Sequence, residues 1–381
     1  MEGQAWRRWA GYVVASSYEL SHEREYHAVR SAAALFDVSP LYKYLVRGRD
    51  AVRLLDRIVT RDMTKCRVGQ VLYTPWCDAR GKVIDDGTIS RLEETTFRMT
   101  AADPTIRWLH LNSAGLDVTI DDVSDKTAAL SLQGPNARAV LELASGQELT
   151  GLKYFRLTAA KIRGAPVTIS RTGYTGDLGY EVWVDATRAL AVWDALIEVG
   201  TSYGITPAGM LALDLARNEA GLLLIEVDYV SAHHALIDSQ TSTPFELSLG
   251  WTVALDKERF NGHDALKAEH ERGPAWRFMG IEVDWDSLER LYADVGLPPK
   301  LPTAAWRASV PIYVGGLQVG YATSGCWSPL LKRYIALAHL EGAAGDPGTV
   351  VDVEVTVEHR RRRATATVRP LPFFNPDRKR A

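Results

Sequence analysis

In the stretch YTPWCDARGKVIDDGTISRL, Tyr73 to Leu92, two carboxylates stand side by side: Asp85 and Asp86, after Val83-Ile84 and before Gly87. The β-branched pair reads as strand. Neighbouring side chains on a strand point to opposite faces, so the two acids cannot share one environment. One is expected at solvent or a turn, and the other must face into the fold, where a carboxylate is costly without a partner. An inward carboxylate can hold or accept a proton, or steady a developing positive charge. The plainer reading is a hairpin, because DARGK and DDG are both good turn sequences.

A third acid, Glu181, leaves a glycine-rich aromatic hairpin, TGYTGDLGYEVWV, and shares a strand face with Gly179 and Trp183. A carboxylate there can accept two parallel N–H bonds from a flat heterocycle whose amino group adjoins a ring N–H, the edge that guanine and pterin present. The plainer reading is an ion pair or a solvent-facing glutamate. The G-x-x-G-x-x-G spacing in this stretch lacks the strand–helix context of a dinucleotide fingerprint, and neither GTISR nor SGCWS carries a phosphate-loop lysine. Without G-x-S-x-G or H-E-x-x-H, serine-hydrolase and zinc-protease chemistry has no foothold.

The elements that must hold these acids read as follows. Residues 21–36 predict a helix with Ser21 as N-cap, and a strand follows at 42–46. Asp50 caps a second amphipathic helix with apolar positions at 51, 54, 55, 58 and 59. Strands around Asp85 and at 96–101, then a helix over 104–114, make a small α+β block, 46–125. Further on come a strand, a Gly-Pro turn and a helix at 128–144, the hairpin of Glu181, a helix at 187–200 and a buried helix ending at Gly221. From Trp276 the pattern changes to short strands with turns at VGG, SG and GDPG, an all-β unit.

The chain has 381 residues, 46% hydrophobic and 24% charged, with a net charge of −3, an ordinary globular composition. That balance argues against general affinity for nucleic acid or anionic membranes, and the one basic run, His359–Arg363, reads as a solvated hairpin end. Cys66, Cys77 and Cys326 are too far apart for a metal site or a redox pair, so no metal is expected and a reducing cytoplasm is. No apolar run reaches the roughly 18 residues of a membrane span.

Seven blocks in order, HAVRSAAALFDVS, KVIDDGTI, SLQGPNARAVL, RTGYTGDLGYEVWV, LARNEAGLLL, PFELSLGWTVALDK with FNGHDALKAE, and GYATSGCWSPLLKRYIALAHL, resemble the tetrahydrofolate-dependent aminomethyltransferases, the glycine-cleavage T-protein family. The resemblance covers about residues 18 to 375. It implies an α+β, three-domain cloverleaf around a central folate channel. Residues 1–45 with 126–260 would form a discontinuous folate-binding domain, 46–125 a small α+β domain, and 275–375 a C-terminal all-β, barrel-like domain. It also implies that Asp86 is the catalytic carboxylate facing the one-carbon nitrogens of tetrahydrofolate. Tyr73, Tyr174 and Trp251 would be further folate contacts, and Glu181 would be the acid on the pterin edge.

The chain departs from the T-protein pattern on the donor side: Pro40 stands for a histidine, Ala102 for an asparagine and Leu213 for an arginine. A longer segment, Tyr229–Thr243, carries His233 and His234 as candidate donor-binding residues. Arg217 reads as a structural partner of Glu219 or Asp214. These departures resemble the demethylase branches and point to a small-molecule methyl donor with tetrahydrofolate as acceptor. The alternative is an aminomethyl donor on a lipoyl carrier protein, giving methylenetetrahydrofolate. A folate-binding accessory protein of the iron–sulfur assembly type is a third reading, but its K-G-C-Y-x-G-Q-E pattern is absent.

Overall fold

A computed structural model describes residues 5–380. Three sheets organise the chain. A six-stranded sheet has the order Leu157–Ile162, Ala165–Ser170, Gly179–Asp185, Thr127–Gln133, Ala33–Asp37, Ile205–Pro207, antiparallel except for the last pairing. A five-stranded antiparallel sheet runs Val71–Cys77, Val83–Glu93, Thr96–Ala101, Tyr42–Arg47, Thr119–Asp122. Six strands from Trp276–Val283 to Arg360–Arg369 close into a barrel, the first and last pairing through Gly280 and Arg369. The expected α+β fold with a C-terminal barrel is therefore present, and the barrel also carries one helix, Trp285–Ala293, packed on its core.

Two expectations need correction. The predicted helix over 21–36 ends at Ser31, and Ala33–Asp37 is a strand. Ala33, Ala34 and Leu35 are fully buried, and neighbouring side chains enter different core clusters on the two faces of the sheet. A strand covered on both faces has no alternation to reveal it, so AALF is compatible with either period. Tyr42–Arg47 pairs with Thr96–Ala101 and Thr119–Asp122, so residues 42–45 lie with the small sheet and not with the larger one. The basic run sits at the exposed start of Arg360–Arg369, hairpinned with Val350–Val357, as its composition suggested.

Helices Ala137–Ser145 and Ala189–Gly200 bury their apolar stripes on one face of the large sheet, and helices Ala51–Ile58 and Ile106–Asn112 cover the small one. A further cluster lies where the small sheet, the connecting segment and the barrel meet. It joins Cys77 and Val83 of the small sheet, Leu223, Tyr229, Leu247 and Leu249 of the connecting segment, and Phe278 and Leu337 of the barrel. Each such side chain contributes roughly 1.5–3 kcal/mol by leaving water, so the junction is a core in its own right.

Buried charge ties the junction further. Helix Met210–Glu219 is buried almost throughout. Arg217 Nε donates to Asp214 (3.1 Å) and Nη1 to Asp228 (2.5 Å), while Arg30 donates to Glu219 through Nε (2.9 Å) and Nη2 (2.6 Å). Asp214 is thus the partner of Arg217, joined by Asp228, and Glu219 belongs to Arg30. The segment after the barrel turns back to the large sheet. The Phe374 amide donates to the Glu219 carbonyl (2.8 Å), Arg378 grips Asp177 at 2.6 and 2.8 Å, and the Phe374 ring lies 4.3 Å from the Arg30 guanidinium carbon.

Candidate active site

Asp86 lies on Val83–Glu93 opposite Pro75 of Val71–Cys77, at a partly accessible point of the sheet face that looks toward the junction. Two phenols reach it: Tyr73 Oη donates to Oδ2 at 2.8 Å, and Tyr229 Oη donates to Oδ1. Burial pushes the Asp86 carboxyl up, against the pull of the Tyr229 and Tyr73 hydroxyls. Burial, reinforced by the Asp86 charge, pushes both phenols well above their ordinary value, so they stay protonated donors. A carboxylate held by two fixed donors keeps one orientation while it accepts a proton or faces a cation.

Asp85 does point away from Asp86, but to the interior and not to solvent. It is fully buried and accepts three backbone N–H bonds, from Asp86 (2.7 Å), Ala102 (3.0 Å) and Asp103 (3.0 Å). The partner that an inward acid requires is here a turn of backbone. The two acids therefore divide into one that carries structure and one that faces the junction.

Tyr229 comes from the connecting segment, and its place is fixed on both sides. Asp228 accepts from the Leu224 amide (2.9 Å), Thr323 (2.5 Å), Ser324 (2.6 Å) and Arg217, which pins the tight loop 224–229 to barrel and helix. Ser231 Oγ donates to the Ile84 carbonyl (2.6 Å), and the Ala232 amide donates to the Val83 carbonyl (2.8 Å). The segment is thus laced along the strand that bears Asp86. His233 and His234 lie on its exposed side. His233 packs edge-on against Trp108, and His234 sits between Glu226 (3.0 Å) and Asp103 (3.4 Å). Neither is hydrogen-bonded to Asp86, whereas Tyr229 is.

Beyond Tyr73 the site continues outward. The Trp251 ring stacks on Tyr73 with centroids 6.1 Å apart and a 25° interplanar angle, and the Arg61 guanidinium lies 5.5 Å from the Trp251 centroid. Arg61, Asp62, Lys65 and Trp251 line a cavity of about 260 Å³ there. Tyr174 anchors its hydroxyl on the Leu223 carbonyl, and it is close enough to Asp86 for that charge to bear on it.

Glu181 sits on the large sheet and accepts from Thr172 Oγ1 at 2.5 Å; Thr172 in turn shares a 2.8 Å contact with Ser170, which accepts from Trp183 Nε1 at 3.1 Å. Burial pushes the Glu181 carboxyl up, while Thr172 and the charge of Arg98 hold it down. Arg98 lies on Thr96–Ala101 opposite Ser90, on the same strand face as Asp86 and about 13 Å along it. The fold therefore brings Tyr73, Asp86, Tyr229 and Trp251 into one contiguous group, with Tyr174 beside it and Glu181 and Arg98 further along. Of these, Tyr229 and Arg98 are not recognisable as site residues from the sequence. The available signal for Arg98 is a charge between two core residues, Phe97 and Met99, in the strand TFRMTA. Among the described residues no helix is long and apolar enough to cross a membrane.

Residues 1–257 match the GCVT N-terminal domain, and residues 295–375 match the glycine cleavage T-protein C-terminal barrel domain. The aminomethyltransferase of Halothermothrix orenii is 36% identical over 354 residues, covering 92% of this chain and 90% of its own. That of Bacillus pumilus is 34% identical over 360 residues, covering 93% and 90%. The crystal structure of the glycine cleavage system aminomethyltransferase T from Bartonella henselae superposes with a TM-score of 0.82 at 25% identity, covering 98% of this chain and 95% of that one. The motifs, the two domain matches and relatives of like length agree: the chain is an enzyme of the glycine cleavage T-protein, or aminomethyltransferase, family.

Proposed function

We propose that this enzyme transfers a one-carbon unit to tetrahydrofolate, with Asp86 directed at the reacting nitrogens. The observation that carries this reading is the half-buried Asp86 carboxylate held by Tyr73 and Tyr229 where the small sheet, the connecting segment and the barrel meet. Glu181 accepts the N–H donors of the pterin edge. The Tyr73–Trp251 stack offers flat surface to the benzoyl ring, and Arg61 faces the carboxylates of the glutamate tail at the outer cavity. Asp86 then orients N5, steadies positive charge as that nitrogen gains a bond to carbon, and takes the N–H proton it sheds.

The donor best supported is an aminomethyl group on a lipoyl carrier protein, since the relatives that match along nine-tenths of their length are named aminomethyltransferases. The products would be methylenetetrahydrofolate, ammonia and the free lipoyl thiol, in the cytoplasm. A small methylated donor is the second reading, and one observation favours it. Tyr229 places a protonated phenol at Asp86, and a phenolate leaving group can use such a donor, whereas an ammonium already carries its proton. Mass spectrometry of the folate product distinguishes the two. Methylenetetrahydrofolate with ammonia from the aminomethylated carrier supports the first, 5-methyltetrahydrofolate from a methylated small molecule supports the second, and no folate product from either rejects the proposal.

A further inference from the structure

Arg98 is 5% exposed, and no carboxylate lies within ion-pair distance of it among the described residues. Its guanidinium carbon lies 3.9 Å from the centroid of the Trp183 ring, so the ring holds the planar fork in place. Its Nε and Nη2, two donors of that fork, are buried with no hydrogen-bond partner among the described residues. A buried guanidinium with idle donors is costly to keep and would be replaced by an apolar side chain if packing were its only task. The acid whose charge bears on it is Glu181, which makes no direct ion pair with it. An acceptor and a pair of donors thus stand near one another without satisfying one another.

We propose that Arg98 and Glu181 together read the lactam edge of the bound pterin, Glu181 accepting from the 2-amino and N3–H groups and Arg98 donating to the adjacent 4-carbonyl oxygen. This rests on the folate reading given above. Donor, donor and acceptor follow one another along that edge, and a carboxylate beside a guanidinium is its complement. An anionic donor group at Arg98 would lie beside the Glu181 charge and be repelled, whereas a neutral carbonyl oxygen satisfies the fork without opposing Glu181. Arginine suits the task better than lysine because its donors are fixed in a plane that Trp183 holds.

Calorimetric titration of the purified chain with tetrahydrofolate and with its 4-amino-4-deoxy analogue tests the assignment. The analogue presents an amino group where the carbonyl oxygen was and a bare N3 where the N3–H was, so it meets Arg98 donor against donor and Glu181 acceptor against acceptor. The wild type is expected to prefer tetrahydrofolate by at least tenfold. Arg98→Met should weaken tetrahydrofolate at least tenfold while leaving the analogue unchanged or tighter, so that the preference falls at least tenfold to the part that Glu181 supplies. Glu181→Gln should weaken tetrahydrofolate, whose two N–H donors lose the charged acceptor. Without ligand, Arg98→Met should melt no lower than the wild type, because it removes a charge that lacks a partner. Arg98→Lys keeps the charge and loses the fork, and a reduced preference there supports the assignment even if the methionine variant fails to fold. An undiminished preference in Arg98→Lys and Arg98→Met overturns it. Absence of tetrahydrofolate binding in the wild type rejects the folate reading itself, and a preference undiminished without Arg98 rejects only this inference.

Discussion

At Asp86 a single proton separates two functional states, and its neighbours decide at what pH it is lost. Burial raises the carboxyl, and the Tyr73 and Tyr229 hydroxyls draw it back toward the ionised form. A carboxylate that must be ionised to act supports turnover above its pKa and loses it as pH falls through that value. The acid limb of the pH–rate profile is therefore expected above the ordinary carboxylate value near 4. Tyr229→Phe removes a donor to the charged form, so that limb should move to higher pH, with folate affinity little changed; an unmoved limb would detach Tyr229 from Asp86. Asp86→Asn should keep the fold and lower turnover on the order of 10²–10⁴. Asp86 is legible in the sequence through its neighbours and the family resemblance, whereas in 229–243 the sequence offers His233 and His234 as candidates and the side chain that reaches Asp86 is Tyr229. Which side chain of a loop faces inward depends on anchors far away in sequence, here Asp228 on Thr323 and Ser231 on Ile84. Composition does not encode that.

The strand that carries Asp86 is locked by the acid beside it. With three backbone amides on its carboxylate, Asp85 closes the turn at Ala102 and Asp103 onto Val83–Glu93. Asp85→Asn replaces one of the two accepting oxygens by an N–H donor, so at least one of the three backbone amides loses its acceptor, at a cost of about 1–3 kcal/mol. Denaturant unfolding should register the loss as a lower midpoint with the slope unchanged, and an undisturbed midpoint would show that the turn does not depend on the charge. Strands with one exposed face, such as those of the barrel, were legible from alternation, and so were helices with a clear apolar stripe such as Ala51–Ile58. The central strand Ala33–Asp37 was not, because sheet pairing decides between two periods that its five residues satisfy equally.

Across the molecule, the site lies where the small sheet, the connecting segment and the barrel meet, with Tyr174 of the glycine-rich hairpin beside it, so its integrity depends on the contacts between them. Asp228 alone touches helix, barrel and connecting loop through Arg217, Thr323, Ser324 and Leu224. Asp228→Ala leaves Arg217 buried beside one acid in place of two, and breaking a buried pair costs roughly 3–5 kcal/mol. Thermal unfolding should show a lower transition. The acid limb of the pH–rate profile should move to higher pH as well, because Tyr229, the donor to Asp86, follows directly on Asp228. A variant as stable as the wild type would show that the barrel docks through apolar contacts alone.

The strap from Phe374 to Arg378 adds a matter of timing. It clasps Asp177 in the glycine-rich hairpin that also bears Tyr174, about 200 positions earlier in the chain. During synthesis the two open sheets can collapse while the barrel is still emerging, since domains form as units in order of translation. The hairpin cannot receive its clasp until Arg378 has left the ribosome. A nascent chain halted before that residue would carry most of its cores and an unfinished pocket, so binding competence would mark the emergence of Arg378 more faithfully than it marks compaction.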